Sequence, residues 1–249
     1  MKNILSALII VSALYSCAES YNIQGSSSLS LLDGSKLYLK AMQGRDTKVI
    51  DSCDVVHGKF RFTGLLDTTQ MAFLFLDDKS LMPIVVERGD IKVRIDDTRK
   101  VSGSPLNDIL YVFLDEHDRL TNEMEELEHR YNQMILDGID EVEINRKLTS
   151  DASTIAQRED SLVTNFVVDN FENILGPFVF VQLMSIPQIE HIWLKAPDSF
   201  KNQTVVSKFY HDITSASSQA LQDDHAGTSA QDIDDATIQD ILNGNGDNH

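Results

Sequence analysis

From residue 21 to 103 the chain repeats short runs in which apolar side chains alternate with polar ones or stand together. The runs fall at Ile23–Leu31, Lys36–Met42, Lys48–Val56, Lys59–Leu66, Met71–Leu76, Leu81–Val86 and Ile91–Ile95. Turn residues separate them, at Asp33-Gly34, Gly44-Arg45-Asp46, His57-Gly58 and Arg88-Gly89-Asp90. In Lys59-Phe60-Arg61-Phe62-Thr63 and again in Ile91-Lys92-Val93-Arg94-Ile95 the period is two, so one face of each strand is buried and the other wet. Runs of this length and spacing predict an antiparallel β-sandwich or barrel.

At residue 104 the period changes. Ser104 is a helix-capping residue type and Pro105 suits a first turn. Leu106, Leu110, Phe113, His117, Leu120, Met124, Leu127, Tyr131 and Met134 then follow in steps of four and three, a heptad seam. Asp137-Gly138 ends that helix, and Asp140 with Glu143 reads as a capping box for a second one. Its apolar stripe runs through Ile144, Leu148, Ile155, Leu162 and Phe166. So short a link predicts an antiparallel helical hairpin over 104–175. Shorter helices are expected over 176–218, with Pro177 and Pro187 in first turns, Pro197 at a break, and Val205, Phe209 and Ile213 on the buried face of the last helix. From Gln219 to His249 the chain has no Lys or Arg and is rich in Asp, Ala, Gly, Asn and Gln, which predicts a disordered acidic tail. The fold class is α+β: a β domain at 21–103, a helical region at 104–218 and the tail at 219–249.

Charge narrows the partners. The 249 residues carry 39 acids against 21 bases, a formal net charge of −18. That field repels nucleic acid and anionic lipid headgroups, and no basic stripe stands out along the sequence to oppose it. Neither a nucleic-acid partner nor a cofactor is expected.

The first residues address the chain rather than build it. Lys2 gives a positive start, Ile4 to Leu14 an apolar stretch too short to span a bilayer, and Leu14-Tyr15-Ser16 leads into Cys17. A signal ending at cysteine after Leu-x-Ser resembles the lipobox of bacterial lipoproteins. The resemblance implies removal of residues 1–16, diacylglycerol on the Cys17 sulfur and acylation of the new amino terminus, with 17–20 as a lipidated linker. Such chains hold a protein firmly, each buried methylene contributing about 0.8 kcal/mol. The other reading is secretion after cleavage near Ser16, with Cys17 a free thiol. Ala18 stands where an aspartate in lipoproteins implies inner-membrane retention, so the resemblance points to the outer membrane, periplasmic or surface-facing. With Cys17 lipidated, Cys53 has no partner for an intrachain disulfide.

The order of parts also carries a resemblance. Asp33-Gly34-Ser35-Lys36-Leu37-Tyr38-Leu39, Val49-Ile50-Asp51-Ser52, Gly58-Lys59-Phe60-Arg61-Phe62-Thr63-Gly64, Val101-Ser102-Gly103-Ser104-Pro105-Leu106-Asn107 and Asn170-Phe171 through Gly176-Pro177 follow in turn. Over roughly residues 1–215 this resembles the amino-terminal half of Bacteroidetes-type thiol-disulfide interchange lipoproteins, whose β part is a domain of unknown function. In those proteins a thioredoxin-like domain with a Cys-x-x-Cys pair normally follows. The present sequence has no such pair and continues into the acidic tail, so the resemblance carries over no catalytic residue.

The remaining candidates weigh toward structure. Cys53 sits in a strand pattern without a visible base or second thiol and reads as a structural thiol. Glu125 and His129 have metal-ligand spacing on one helix face but no implied third ligand, which favours a solvated charged face. His117, beside Glu116 and Asp118, reads as a hydrogen-bonded residue of the helix seam. Arg88-Gly89-Asp90 reads as a turn, and Asn243-Gly244-Asn245-Gly246-Asp247 lacks the closing glutamate of a calcium loop. Trp193, Phe178, Phe180 and Phe209 read as core. No catalytic and no metal site is expected, and Cys17 is the one site residue, for lipid. The expectation is a non-enzymatic, lipid-anchored cell-envelope protein that binds an envelope protein or ligand. The alternatives are an accessory or truncated remnant of a thiol-disulfide redox system acting with a separate thioredoxin-like partner, and a homodimer formed through the hairpin.

Overall fold

The computed structural model describes residues 19–43 and 46–223. Eight strands come first: β1 (Glu19–Ser27), β2 (Lys36–Gln43), β3 (Asp46–Asp54), β4 (Lys59–Leu66), β5 (Gln70–Leu76), β6 (Lys79–Val86), β7 (Gly89–Ile95) and β8 (Arg99–Ser102). Six helices follow: α1 (Pro105–Leu136), α2 (Glu141–Asp169), α3 (Leu175–Leu183), α4 (Ile186–Lys195), α5 (Asp198–Lys201) and α6 (Thr204–Asp223). The strands form two open four-stranded sheets, ordered β4-β1-β7-β8 and β3-β2-β5-β6. Neither closes into a barrel, and the pairing is not purely antiparallel, because β1 runs parallel to β7 with Ile23 opposite Ile91. Two consecutive tight turns would make every neighbour antiparallel. Here β7 enters from the other sheet through Glu87 and Arg88, and that crossing sets its direction.

Alternation fills the core. Ile23, Phe62, Ile91, Val93 and Val101 of the first sheet, and Leu37, Leu39, Leu74 and Ile84 of the second, are buried. Gly25 belongs to this row, because a Cβ there would lie about 2.0 Å from the Phe60 ring. His57 and Gly58 both have positive φ, 52° and 66°, and Val56 and Lys59 exchange backbone hydrogen bonds of 2.9 and 3.0 Å around them. That is the primed two-residue hairpin turn. Gly58 also approaches β1, accepting from the Ser27 amide at 2.8 Å, and a Cβ would meet the Ser27 carbonyl at 2.4 Å.

Several boundaries differ from the pattern reading. Glu19 and Ser20, expected in a linker, already pair with Leu66 and Leu65. The first strand stops at Ser27, and Ser30–Leu32 make a single 3-10 turn that buries Leu32. Helix α6 continues to Asp223, beyond the expected end at 218, while residues 1–18, with Cys17, and 224–249 lie outside the described residues. Strand β8 was not expected; Arg99 to Ser102 is too short and too polar to register as a run.

The join between strands and helices is polar and buried. Ser104 is the N-cap of α1, yet its hydroxyl makes no capping bond. Glu87, on the far side of β7 and β8 in sequence, takes that role: its carboxylate accepts from the Leu106 amide at 2.9 Å and the Asn107 amide at 3.1 Å. The Asn107 carboxamide then pairs with the edge of β6, accepting from Val85 N–H at 2.9 Å and donating to Val85 C=O at 2.7 Å. It also donates to the Ser104 hydroxyl at 2.9 Å. Asn107 has no exposure and Glu87 little. Tyr111, one turn on, donates to the Pro83 carbonyl at 2.9 Å.

Beyond that joint, α1 and α2 run antiparallel. Cross-links at Arg130–Asp151 (2.8 Å), Arg158–Glu123 (2.6 Å) and His117–Glu159 (3.3 Å) pair rising with falling residue numbers. Leu120, Leu127 and Ile155 bury between them with Met124, Leu148 and Leu162 alongside, so the heptad seam packs within the chain. Asp140 caps α2 by accepting from Val142 N–H at 3.1 Å, one position earlier than a box with Glu143 requires. Val163 and Val167, outside the expected stripe, are also buried, because α2 is covered on a second side by α3. Phe178 of α3 lies 6.1 Å from Phe73 of β5, which seats the helical segment on the second sheet. Phe180 and Phe200 meet edge to face at 5.4 Å in the interior; Trp193, Phe178 and Phe209 are only half-buried. Val206, not Val205, is the buried valine of α6. The chain divides after Val206 into two compact units, and the second holds the rest of α6 from Ser207.

The joint makes a quantitative prediction. Asn107→Ala orphans both backbone groups of Val85 and one acceptor of Ser104. A buried unmade hydrogen bond costs about 1–3 kcal/mol, so unfolding free energy should fall by about 2–4 kcal/mol in urea titration. Ser104→Ala, which removes no capping bond, should lower it by about 1 kcal/mol or less.

Candidate functional site

The wet face of the first sheet gathers what the sequence scatters. Alternation turns Lys59 and Arg61 of β4, Lys92 and Arg94 of β7 and Lys100 of β8 away from the core. The register then aligns them in two rows across the strands. One row reads Arg61, Gln24, Lys92, Ser102; the next reads Lys59, Ser26, Arg94, Lys100. Five of the chain's 21 basic residues thus share one face of a protein with net charge −18. The expectation of no basic stripe is overturned here. The five cations span 42 positions of sequence and become neighbours because β1 pairs with β4 on one side and with β7 on the other, and β7 with β8.

This face is concave. A cleft of about 520 Å³ opens over Gln24, Gly25 and Ser26, with Lys59, Lys92, Arg94, Lys100 and Ser102 around it. Gly25, at the centre of β1, faces the core beneath this cleft, where its missing side chain makes room for the Phe60 ring. Three carboxylates touch the rim. Arg94 pairs with Asp96 at 3.0 Å, Lys100 with Asp115 of α1 at 2.9 Å, and Asp90 accepts from Asn22 at 2.5 Å. The Asp96 carboxyl is held below its ordinary range, first by the Thr98 amide and hydroxyl and then by Arg94. Arg61 donates from Nε to the Asn22 side chain at 2.7 Å. Lys59 and Lys92 form no ion pair among the described residues.

A second concavity lies on the hairpin. Between the start of α1 and the end of α2, Ile109, Val112, Phe113, Leu162 and Phe166 line a groove of about 1090 Å³. Val112 is 72% exposed at its lip, and Phe113 and Phe166 stack at 4.1 Å in its floor. Asp108, Asp115, Glu116 and Asp169 rim it, with Arg119, which hydrogen-bonds Glu116 and keeps that carboxyl below its usual range.

The residues singled out in the sequence do not converge. Cys53, half-buried on β3 opposite Leu37, has its thiol pushed up to about 11; burial is the main cause, Asp51 and Asp54 add to it, and the Arg61 amide opposes it. His117 sits in the seam against Phe113 and reaches Glu159. Glu125 and His129 share a helix face, and among the described residues no group of three or more His, Cys, Asp or Glu side chains is placed to hold a metal ion. Arg88-Gly89-Asp90 is the crossing into β7, with Gly89 at φ 114° and Gly89 and Asp90 already in the strand. Tyr21 links the two sheets through its hydroxyl to Asp51 at 3.5 Å, and burial raises its phenol above the ordinary value. The basic rows were within reach of the pattern reading. Both strands of period two put paired cations on their wet faces; the missing knowledge was which strand lies between them.

Comparison with known proteins adds one finding. Residues 21–110 match the family model of a domain of unknown function, DUF4369. The matched span covers all eight strands apart from the first two residues of β1 and runs through Asn107 to the second turn of α1, so it includes the polar joint. A search of curated proteins found no match.

The state of Cys53 is measurable. Burial favours the neutral thiol, so thiolate accumulates only as pH rises toward about 11. At pH 8 iodoacetamide should alkylate the folded protein about a hundredfold more slowly than the urea-unfolded chain, whose thiol titrates near about 8.5. Equal rates would show an exposed, ordinary cysteine.

Proposed function

We propose that this protein is a non-enzymatic, lipid-anchored scaffold of the cell envelope that binds its partner through the wet face of the first sheet. One observation carries the reading: an open, concave and cationic sheet face on a frame whose other sheet carries helix α3 packed on it at Phe73. Such a face needs no moving parts to be a binding surface. Its side chains stand on strands held from below by a buried apolar row, so little ordering is required when a ligand arrives.

Support for the anchor comes from the sequence. The charged start, the short apolar stretch and Leu14-Tyr15-Ser16-Cys17 favour lipid on the Cys17 sulfur. Among the described residues no helix is long and apolar enough to cross a membrane. The order of stretches resembling thiol-disulfide interchange lipoproteins favours the same anchor, and Ala18 after the cysteine favours the outer membrane. It gives less support to redox work, because the remaining thiol, Cys53, is held in its unreactive neutral form at physiological pH. Pairing of two copies through the hairpin is likewise disfavoured, since the heptad seam of α1 is already packed on α2.

The tether is tested by metabolic labelling. Cells expressing the full chain with labelled palmitate should incorporate the label and sediment it with envelope membranes. Cys17→Ser should take up none. A soluble mature protein whose first residue bears a free thiol overturns the anchored reading.

A further inference from the structure

We infer that the cationic face of the first sheet binds an anionic glycan, a chain of sugar units bearing sulfate or phosphate groups. The inference rests on the binding-scaffold reading and names its ligand class.

Charge spacing is the first argument. Neighbouring strands lie about 4.8 Å apart and successive outward residues about 7 Å apart, so Lys59 and Arg94, two strands apart in one row, stand about 10 Å from each other. Lys92 lies in the adjacent row, opposite Gln24. A single phosphate or sulfate reaches one or two of these groups. Engaging both rows takes a ligand with several anionic groups along its length.

The residues between the cations are the second argument. Gln24, Ser26 and Ser102 place an amide and two hydroxyls in the same rows, and each both donates and accepts hydrogen bonds. That suits a ligand with hydroxyls between its charges. No aromatic side chain stands on this face among the described residues, so unstacked nucleic-acid bases have nothing to stack on. An acidic peptide would leave the hydroxyl and amide groups without hydroxyl partners.

The third argument is competition. The overall field of −18 repels polyanions, so a bound one must be held locally. Lys59 and Lys92 have no ion pair to break among the described residues. Arg94 and Lys100 are themselves exposed and pair with the half-buried Asp96 and the exposed Asp115; ion pairs at the surface are worth only about 0–1 kcal/mol, so both can turn to a multivalent ligand. Asp90, engaged by Asn22, closes one end of the face and sets a limit to the ligand's path.

The test is titration calorimetry of the full chain with a heparin hexasaccharide as the sulfated probe and a polyphosphate of similar length as the phosphate probe. Maltohexaose, oligothymidine and polyglutamate serve as competitors of other classes. The hexasaccharide should bind, with affinity falling as salt rises, and more tightly than the polyphosphate, which offers charge without hydroxyls. The double variant Lys59→Gln/Lys92→Gln should weaken binding about tenfold or more and reduce the slope of log affinity against log salt by about two. Lys36→Gln/Lys48→Gln removes the same charge from the second sheet and should change affinity less than about twofold. Thermal midpoints of both variants should match the parent, since the substituted side chains are exposed. Failure of the hexasaccharide to bind, equal loss in the two double variants, or tighter binding of polyphosphate, oligothymidine or polyglutamate overturns the inference. If the hexasaccharide fails while the palmitate label still sediments with membranes, the glycan is wrong and the anchored scaffold stands. If the hexasaccharide binds as expected and the protein is soluble and unlabelled, the anchor is wrong and the glycan stands.

Discussion

Strand β6 runs along the edge of its sheet, and the backbone groups it turns outward need partners. Side chains from the following segments supply them at every second residue. Arg99 donates to the Leu81 carbonyl at 2.8 Å, Tyr111 to that of Pro83, and Asn107 pairs with both groups of Val85. Pro83 sits there without penalty, because on an edge its missing N–H is not needed. Two residues further, Glu87 reaches the first amides of α1. An exposed edge invites pairing with another chain, and this one is closed by its own helix. The same contacts fix where α1 starts and how it leaves the sheets, so the position of the hairpin follows from one strand's need for hydrogen bonds.

That attachment decides which surfaces remain free. The helical segment lies against the second sheet, through Phe178 on Phe73 and through the β6 edge. From the wet face of the first sheet, Lys100 reaches Asp115 of α1. An uncovered face with alternating residues is ordinary in an antiparallel sheet. Its charge is not ordinary for so acidic a chain, and it comes from the placement of β1. Only with β1 between β4 and β7 do Gln24 and Ser26 separate two pairs of cations.

Helix α1 serves two layers at once. Its first turns bury Asn107, Leu110, Tyr111 and Phe113, while Leu120 and Leu127 pack on α2. Where the two roles meet, the apolar groove opens beside Phe113 and Phe166. The ion pairs along the hairpin are exposed and contribute little each; the apolar seam holds the helices, and the charges keep their outer faces in water.

Much of this was legible locally. Period-two runs gave the strands β2 to β7 to within two residues, and the seam from Leu110 to Leu127 gave α1, because side-chain burial follows backbone period whatever the tertiary arrangement. The signal before Cys17 is likewise a property of the sequence. The cap of α1 was not legible: Glu87 lies 18 positions before its first helical residue, and nothing local distinguishes it from other acids between strands. Nor was the basic face, since alternation assigns each cation to a side but not to a neighbour. Sequence by itself determined which side chains of each strand turn inward and which turn outward; strand order, set by long-range pairing, decided which outward side chains stand together, and therefore where a site can exist.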